Sequence, residues 1–86
     1  MIKETKNREV IKFLIGPQKA KLIEYGLKKK RFYQAQVAFD LGWHINTVQY
    51  HLNNFTKYGL LVREPTVYKT YYHLNLPALK NIFTLS

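Results

Sequence analysis

Cysteine is absent from the 86 residues. Disulfides and thiolate metal sites are therefore excluded, and a reducing compartment suits the chain. Acidic residues are scarce: five Asp and Glu stand against 14 Lys and Arg, for a net charge of +9. Asp40 and four glutamates are the whole supply of carboxylates. With no nucleophile–base–acid set and no phosphate-cradling glycine loop, an enzyme is not expected. His44, His51 and His73 do not stand at ligand spacing, so no metal site and no cofactor are expected. No hydrophobic run approaches the roughly 18–20 residues of a membrane span, so no membrane partner is expected. The first residues carry no apolar stretch with a small-residue cleavage site. The cytoplasm is the expected location. Repeats, low-complexity tracts and flexible linkers are also missing.

What the chain does hold is apolar material, 47% of its residues, with 15% aromatic. Its length supports one domain, 1–86, with a core over about 17–75. So small a domain buries a low fraction of its surface, and this much apolar surface hints at a partner subunit. The excess positive charge concentrates polyanions around the protein, nucleic acid being the commonest.

The few glycines and prolines punctuate the chain. Asn7–Ile15 reads as a short apolar helix before Gly16-Pro17, although its run of Val10, Ile11, Phe13, Leu14 and Ile15 is also β-prone. Pro17 suits a helix first turn, and Ala20, Ile23 and Leu27 carry that helix to about Lys29, where lysines favour the negative end of the helix dipole. A second helix is expected over Gln34–Leu41, with Val37, Ala38 and Leu41 inward and Gly42 beyond its end. A third is expected over Ile45–Tyr58, with Val48, Leu52 and Phe55 on one face and Gly59 after it. Only Gly42-Trp43-His44 separates these two, the spacing of a helix-turn-helix. Trp43 is read as core. The period then shifts to that of strands: Leu60–Glu64, a turn at Pro65-Thr66-Val67, and a return strand Tyr68–Leu74. Pro77 opens a last helix to about residue 84.

Helix, helix, helix, hairpin is the order of a winged helix. The runs Gln34–Gly42, Thr47-Val48-Gln49-Tyr50-His51-Leu52, Tyr58-Gly59-Leu60-Leu61 and Tyr71-Tyr72-His73-Leu74 resemble the winged helix-turn-helix DNA-binding proteins. The resemblance is to the ArsR-like branch, of the small archaeal or archaeal-virus type. It implies a mainly α fold with a small β-hairpin (α+β), and a sequence-specific regulator of transcription that binds double-stranded DNA. The helix 45–58 would enter the major groove, and the hairpin 60–74 would lie on the backbone as the wing. Departures from the family pattern stand at Tyr33 and His44, where capping Thr and Ser are typical; neither is a good cap. Asn46 with Gln49 offers an alternative capping box that would start the helix two residues later. Metal sensing through Cys and His, frequent in this branch, does not carry over.

The amphipathic pattern agrees with the resemblance. With Val48, Leu52 and Phe55 inward, Asn46, Gln49, Tyr50 and Asn53 turn outward as base contacts, since Asn and Gln can pair two ways with adenine. Thr47, His51, Lys57, Arg63, Tyr68, Lys69, Lys30 and Arg31 are the expected backbone contacts, with the fold as the alternative role for His51. The terminal segments 7–15 and 77–84 are too apolar to lie free and too short to be stable alone. As in the family they are expected to build a homodimer, through Val10, Phe13, Leu14, Leu79, Ile82 and Phe83; packing on their own domain is the alternative. A winged helix can also serve purely as a protein-interaction module. Single-strand binding would need aromatics in a row on a sheet, whereas these tyrosines look scattered and the only expected sheet is a hairpin.

Overall fold

The computed structural model describes residues 16–84, with side chains described as far as Asn81. The expected helix 7–15, with Val10, Phe13 and Leu14, lies outside the described residues, as do the side chains of Ile82 and Phe83.

Helix α1 spans Pro17–Lys29 and begins with Pro17 at its first position, after Gly16. Proline fits there because the first-turn N–H groups have no intrahelical acceptor to lose. Leu22, Tyr25 and Gly26 are its buried residues. A Cβ on Gly26 would fall 2.7 Å from Cγ of Leu74, so only glycine lets helix and sheet approach this closely. The helix is stopped by Lys30, whose φ is +65°. The N–H of Arg31 bonds back to the Lys29 carbonyl at 2.6 Å, closing a tight three-residue turn. A side-chain-bearing residue in this region is strained, and the turn sends the chain directly into a strand.

That strand, β1 (Phe32–Tyr33), is absent from the expected hairpin. It pairs antiparallel with β3, Phe32 opposite Tyr72 and Tyr33 opposite Tyr71. Strands β2 (Leu61–Pro65) and β3 (Thr70–Leu74) pair from Leu61–Leu74 to Pro65–Thr70. The sheet thus has three strands in the order β1-β3-β2. The return strand starts at Thr70 instead of Tyr68, because residues 66–69 form a closed turn. The Thr66 N–H bonds the Lys69 carbonyl at 2.9 Å, and the Lys69 N–H bonds Thr66 Oγ1 at 3.0 Å.

Helices α2 (Gln34–Leu41) and α3 (Ile45–Lys57) flank the Gly42-Trp43-His44 turn. Gly42 takes the left-handed conformation, φ +68°, and the Gly42 and Trp43 N–H groups both bond to the Ala38 carbonyl. His44 caps α3 after all: its Nδ1 accepts the Asn46 N–H at 3.1 Å, so the helix starts at Ile45 and the alternative start is not used. Tyr33 is capped in the reverse sense, its N–H donating to Gln36 Oε1 at 3.3 Å. Gln34 Nε2 donates to the Ile45 carbonyl at 3.2 Å and ties the two helices together. Trp43 is only partly buried and packs against the edge of the core.

Helix α4 (Leu76–Thr84) is anchored by Asn75. Asn75 Oδ1 accepts the Ala78 N–H at 3.3 Å, and Nδ2 donates to the Gly59 carbonyl at 3.0 Å. Leu22, Phe32, Val37, Val48, Leu52, Phe55 and Leu60 are fully buried at the centre. Leu79 joins this core at 5% exposure. Its expected place in a dimer interface is therefore corrected: α4 turns Leu79 onto its own domain. Helix-turn-helix followed by a two-stranded wing makes the fold a winged helix of the α+β class.

Candidate nucleic-acid interface

Helix α3 is two-sided for a simple reason. Val48, Leu52 and Phe55 recur at helical spacing and are completely buried, each apolar side chain contributing about 1.5–3 kcal/mol. That orientation obliges Asn46, Gln49, Tyr50 and Asn53 to face outward, and all four are exposed. Thr47 is half-buried on the flank, and Lys57 ends the helix, exposed.

Beside this face lies a recess of about 320 Å³ lined by Tyr33, Gln34, Ala35, Gln49, Asn53, Arg63, Lys69, Thr70 and Tyr72. Three elements meet there: the start of α2, the outward side of α3 and the base of the wing. Its lining offers two cations, three side-chain amides and three hydroxyls, and no carboxylate. The chemistry suits an anion with several oxygens, which accepts from both guanidinium and amide donors.

Lys69 is placed by an aromatic ring. Its Nζ stands 3.7 Å from the centroid of Tyr33. Tyr33 meets Tyr71 edge to face, with centroids 5.9 Å apart at 89°. Arg31 lies over the far ring, 3.9 Å from the Tyr71 centroid. These two tyrosines are neighbours only because β1 pairs with β3, so the impression of scattered tyrosines is corrected here. Their faces are taken by the two cations.

Lys30 and Arg31 stand apart from the other expected backbone contacts. They line a second recess, of about 430 Å³, with Gly26, Leu27, Glu64, His73, Leu74 and Leu76. Arg31 Nε lies 3.7 Å from Glu64 Oε1, and His73 Nδ1 lies 3.1 Å from the same oxygen. Arg63 and Glu64 adjoin on β2 and serve different recesses, as alternating strand residues do.

His51 takes the fold role, and its expected backbone contact is corrected. It is 5% exposed and belongs to the interior of α3, not to a contact surface. Its Nε2–H donates to Gln18 Oε1 at 3.2 Å, and its ring leans on Trp43 with centroids 5.6 Å apart. Nδ1 is buried without a hydrogen-bond partner. Burial, with a smaller contribution from the charge of Lys19, holds its pKa below the usual histidine value. Tyr25 is also perturbed. Burial raises its pKa, and so does the bond its hydroxyl donates to Asp40 Oδ2 at 2.7 Å.

The wing tip is the feature that sequence reasoning undervalued. Val67 and Tyr68 are 94% and 92% exposed, and Lys69, next in the chain, is drawn back to the wing base. Only the turn hydrogen bonds of Thr66 reveal this, and they need the folded geometry. Among the described residues no group of three His, Cys, Asp or Glu could hold a metal ion, and no helix is long and apolar enough to cross a membrane.

No protein-family model matches the chain. No curated protein matches it in sequence. Among solved structures, the crystal structure of the transcriptional repressor PagR of Bacillus anthracis is similar to it. That likeness has a TM-score of 0.82 at 24% identity and covers 98% of this chain and 95% of that one. The similarity bears on architecture: the chain shares the fold of that repressor.

Proposed function

We propose that this chain binds double-stranded DNA sequence-specifically and regulates transcription, as an ArsR-like winged helix. Helix α3 enters the major groove. Asn46, Gln49, Tyr50 and Asn53 read base edges there. Thr47, Lys57, Arg63, Tyr68 and Lys69 hold the backbone, with the wing alongside it. The observation that carries this reading is the amide-bearing side of α3 opening onto a cationic recess that no carboxylate lines. The net charge of +9 adds attraction to a polyanion. The structural likeness to a transcriptional repressor supports the same role. We place a homodimer alongside it, formed through the terminal segments 7–15 and 77–84 without Leu79. Two recognition helices would then meet half-sites about 34–36 Å apart.

A second reading, an interaction module for another protein, draws on exposed Phe39, Val67 and Tyr68. They sit on two separate elements, α2 and the wing, whereas the polar groups converge. A mobility-shift assay on mixed-sequence duplex at low and moderate salt separates the readings, with no shift at low salt favouring the module. Selection of bound sequences from a random duplex pool then supplies an operator. Gln49→Ala with Tyr50→Ala should abolish discrimination for it while leaving the thermal melt unchanged. Undiminished discrimination would overturn the assignment of α3.

A further inference from the structure

Arg31 and Lys69 each rest closely on a tyrosine ring, and their surroundings differ in one respect. Arg31 lies over Tyr71 and also faces the Glu64 carboxylate. Lys69 lies over Tyr33 and, among the described residues, forms no ion pair. A carboxylate cancels a cation's charge and occupies its donors. A ring face does neither: the ammonium keeps its full charge and its N–H groups while the attraction holds it in place. A lysine side chain otherwise loses much of its rotamer freedom on being fixed.

The backbone around this pair is equally constrained. Thr66 grips Lys69 through its backbone N–H and its hydroxyl. Tyr33 is fixed by strand pairing to Tyr71, by the edge contact with that ring, and by the bond from its N–H to Gln36. Both residues line the recess that Gln49, Asn53 and Arg63 share. The ring therefore stands between the recognition unit, whose α2 it immediately precedes, and the wing.

We propose that Tyr33 is a positioning residue: its ring presets Lys69, still fully charged, to take a phosphate of the duplex at the base of the wing. This rests on the duplex-DNA reading above. Tyr33 acts through Lys69, so its contribution disappears when Lys69 is gone.

The test is a double-mutant cycle read by fluorescence anisotropy on the pool-selected duplex, over a series of KCl concentrations. Lys69→Gln should weaken binding and reduce the slope of log Kd against log salt by about 0.9, the signature of one lost phosphate contact. Tyr33→Leu should weaken binding about two- to fivefold, the range of an exposed cation–ring contact. Tyr33→Phe, which keeps the ring, should restore most of that loss. The deciding arm is Tyr33→Leu in the Lys69→Gln background, where no further weakening is expected. In the free protein the Lys69 methylene proton signals should be shifted upfield by the ring and should return to ordinary positions in Tyr33→Leu. Equal losses from Tyr33→Leu in both backgrounds would show that Tyr33 acts on the fold or on DNA by itself. That outcome overturns the proposal and leaves the DNA reading standing. A wild-type chain that binds no duplex at low salt overturns both.

Discussion

Two recesses among the described residues are built from adjoining residues and differ in whether a carboxylate answers their cations. One takes Arg63 and Lys69 with the amides of Gln34, Gln49 and Asn53. The other takes Arg31 and Lys30 with Glu64, His73 and an apolar floor of Leu27, Leu74 and Leu76. In the second, a carboxylate sits between Arg31 and His73. In the first there is none, and the sequence explains why: no Asp or Glu occurs between Asp40 and Glu64. A high net charge is thus less informative than where the few acids fall. Cations already answered by the protein's own carboxylate have less to gain from a polyanion than unanswered ones.

Reversing a charge on one side and removing one on the other is the strongest way to break this comparison. Arg63→Glu should weaken duplex binding at least about tenfold, roughly 1.4 kcal/mol, and flatten its salt dependence by at least about 0.9 in log–log slope. Glu64→Gln alters the neighbouring strand position and frees Arg31 and His73. It should leave the slope within error of wild type and change stability by less than about 1 kcal/mol, because the ion pair it removes is solvent-exposed. Salt titrations by anisotropy, with thermal melts alongside, check both. Equal slopes for the two variants would erase the distinction between the recesses.

A smaller effect is expected from the packing behind the apolar recess. In Gly26→Ala the new Cβ meets Leu74 at 2.7 Å, and the leucine must shift. Overpacking of this kind costs about 1–3 kcal/mol. The better helix propensity of alanine offsets about 1 kcal/mol of that. A net loss of up to about 2 kcal/mol should lower Tm by several degrees. The salt slope of binding should not change, since Gly26 lines only the other recess. A Tm at or above that of wild type would show that Leu74 relaxes without cost.

Much of this architecture can be read from the chain. The apolar spacing of Val48, Leu52 and Phe55, with glycine at 42 and 59, marks α3 and its outward amides to within a residue. Local signals of this kind repeat every turn and need no distant partner. The third strand is different. Phe32-Tyr33 is too short to show a period, and it is a strand only because Tyr71 and Tyr72 lie opposite. The Tyr33–Lys69 contact inherits that invisibility, joining residues 36 positions apart through a pairing the sequence does not announce. The His44 cap escaped for a chemical reason, since imidazole is an uncommon capping acceptor, and here Nδ1 supplies the lone pair. The resemblance puts Leu79 in a dimer interface and leaves His51 a place on the phosphate-facing flank, and each turns inward. Leu79 does so because Asn75 fixes the entry of α4, and His51 because Gln18 offers a partner across from α1.

The smallest expected effect concerns pH, and it decides how the comparison must be run. His51 is buried behind the face that α3 presents, and its folded pKa lies below that of a free histidine, about 6.5. As pH falls, the unfolded chain takes up this proton first, so the proton stabilises the unfolded state. The contribution to stability is therefore complete above about pH 6.5 and is lost as pH drops through the lowered folded value. The structural reason is Nδ1, which would become a buried N–H with no acceptor beside it. Thermal melts from pH 7.5 to 5 should show wild type losing stability more steeply than His51→Asn, which has no titrating group at that position. His73 and His44 are retained in both proteins, so the difference between the two profiles isolates His51. Parallel profiles would mean that the ring accepts its proton without penalty, and that α3 is held less firmly against α1 than the Gln18 bond implies.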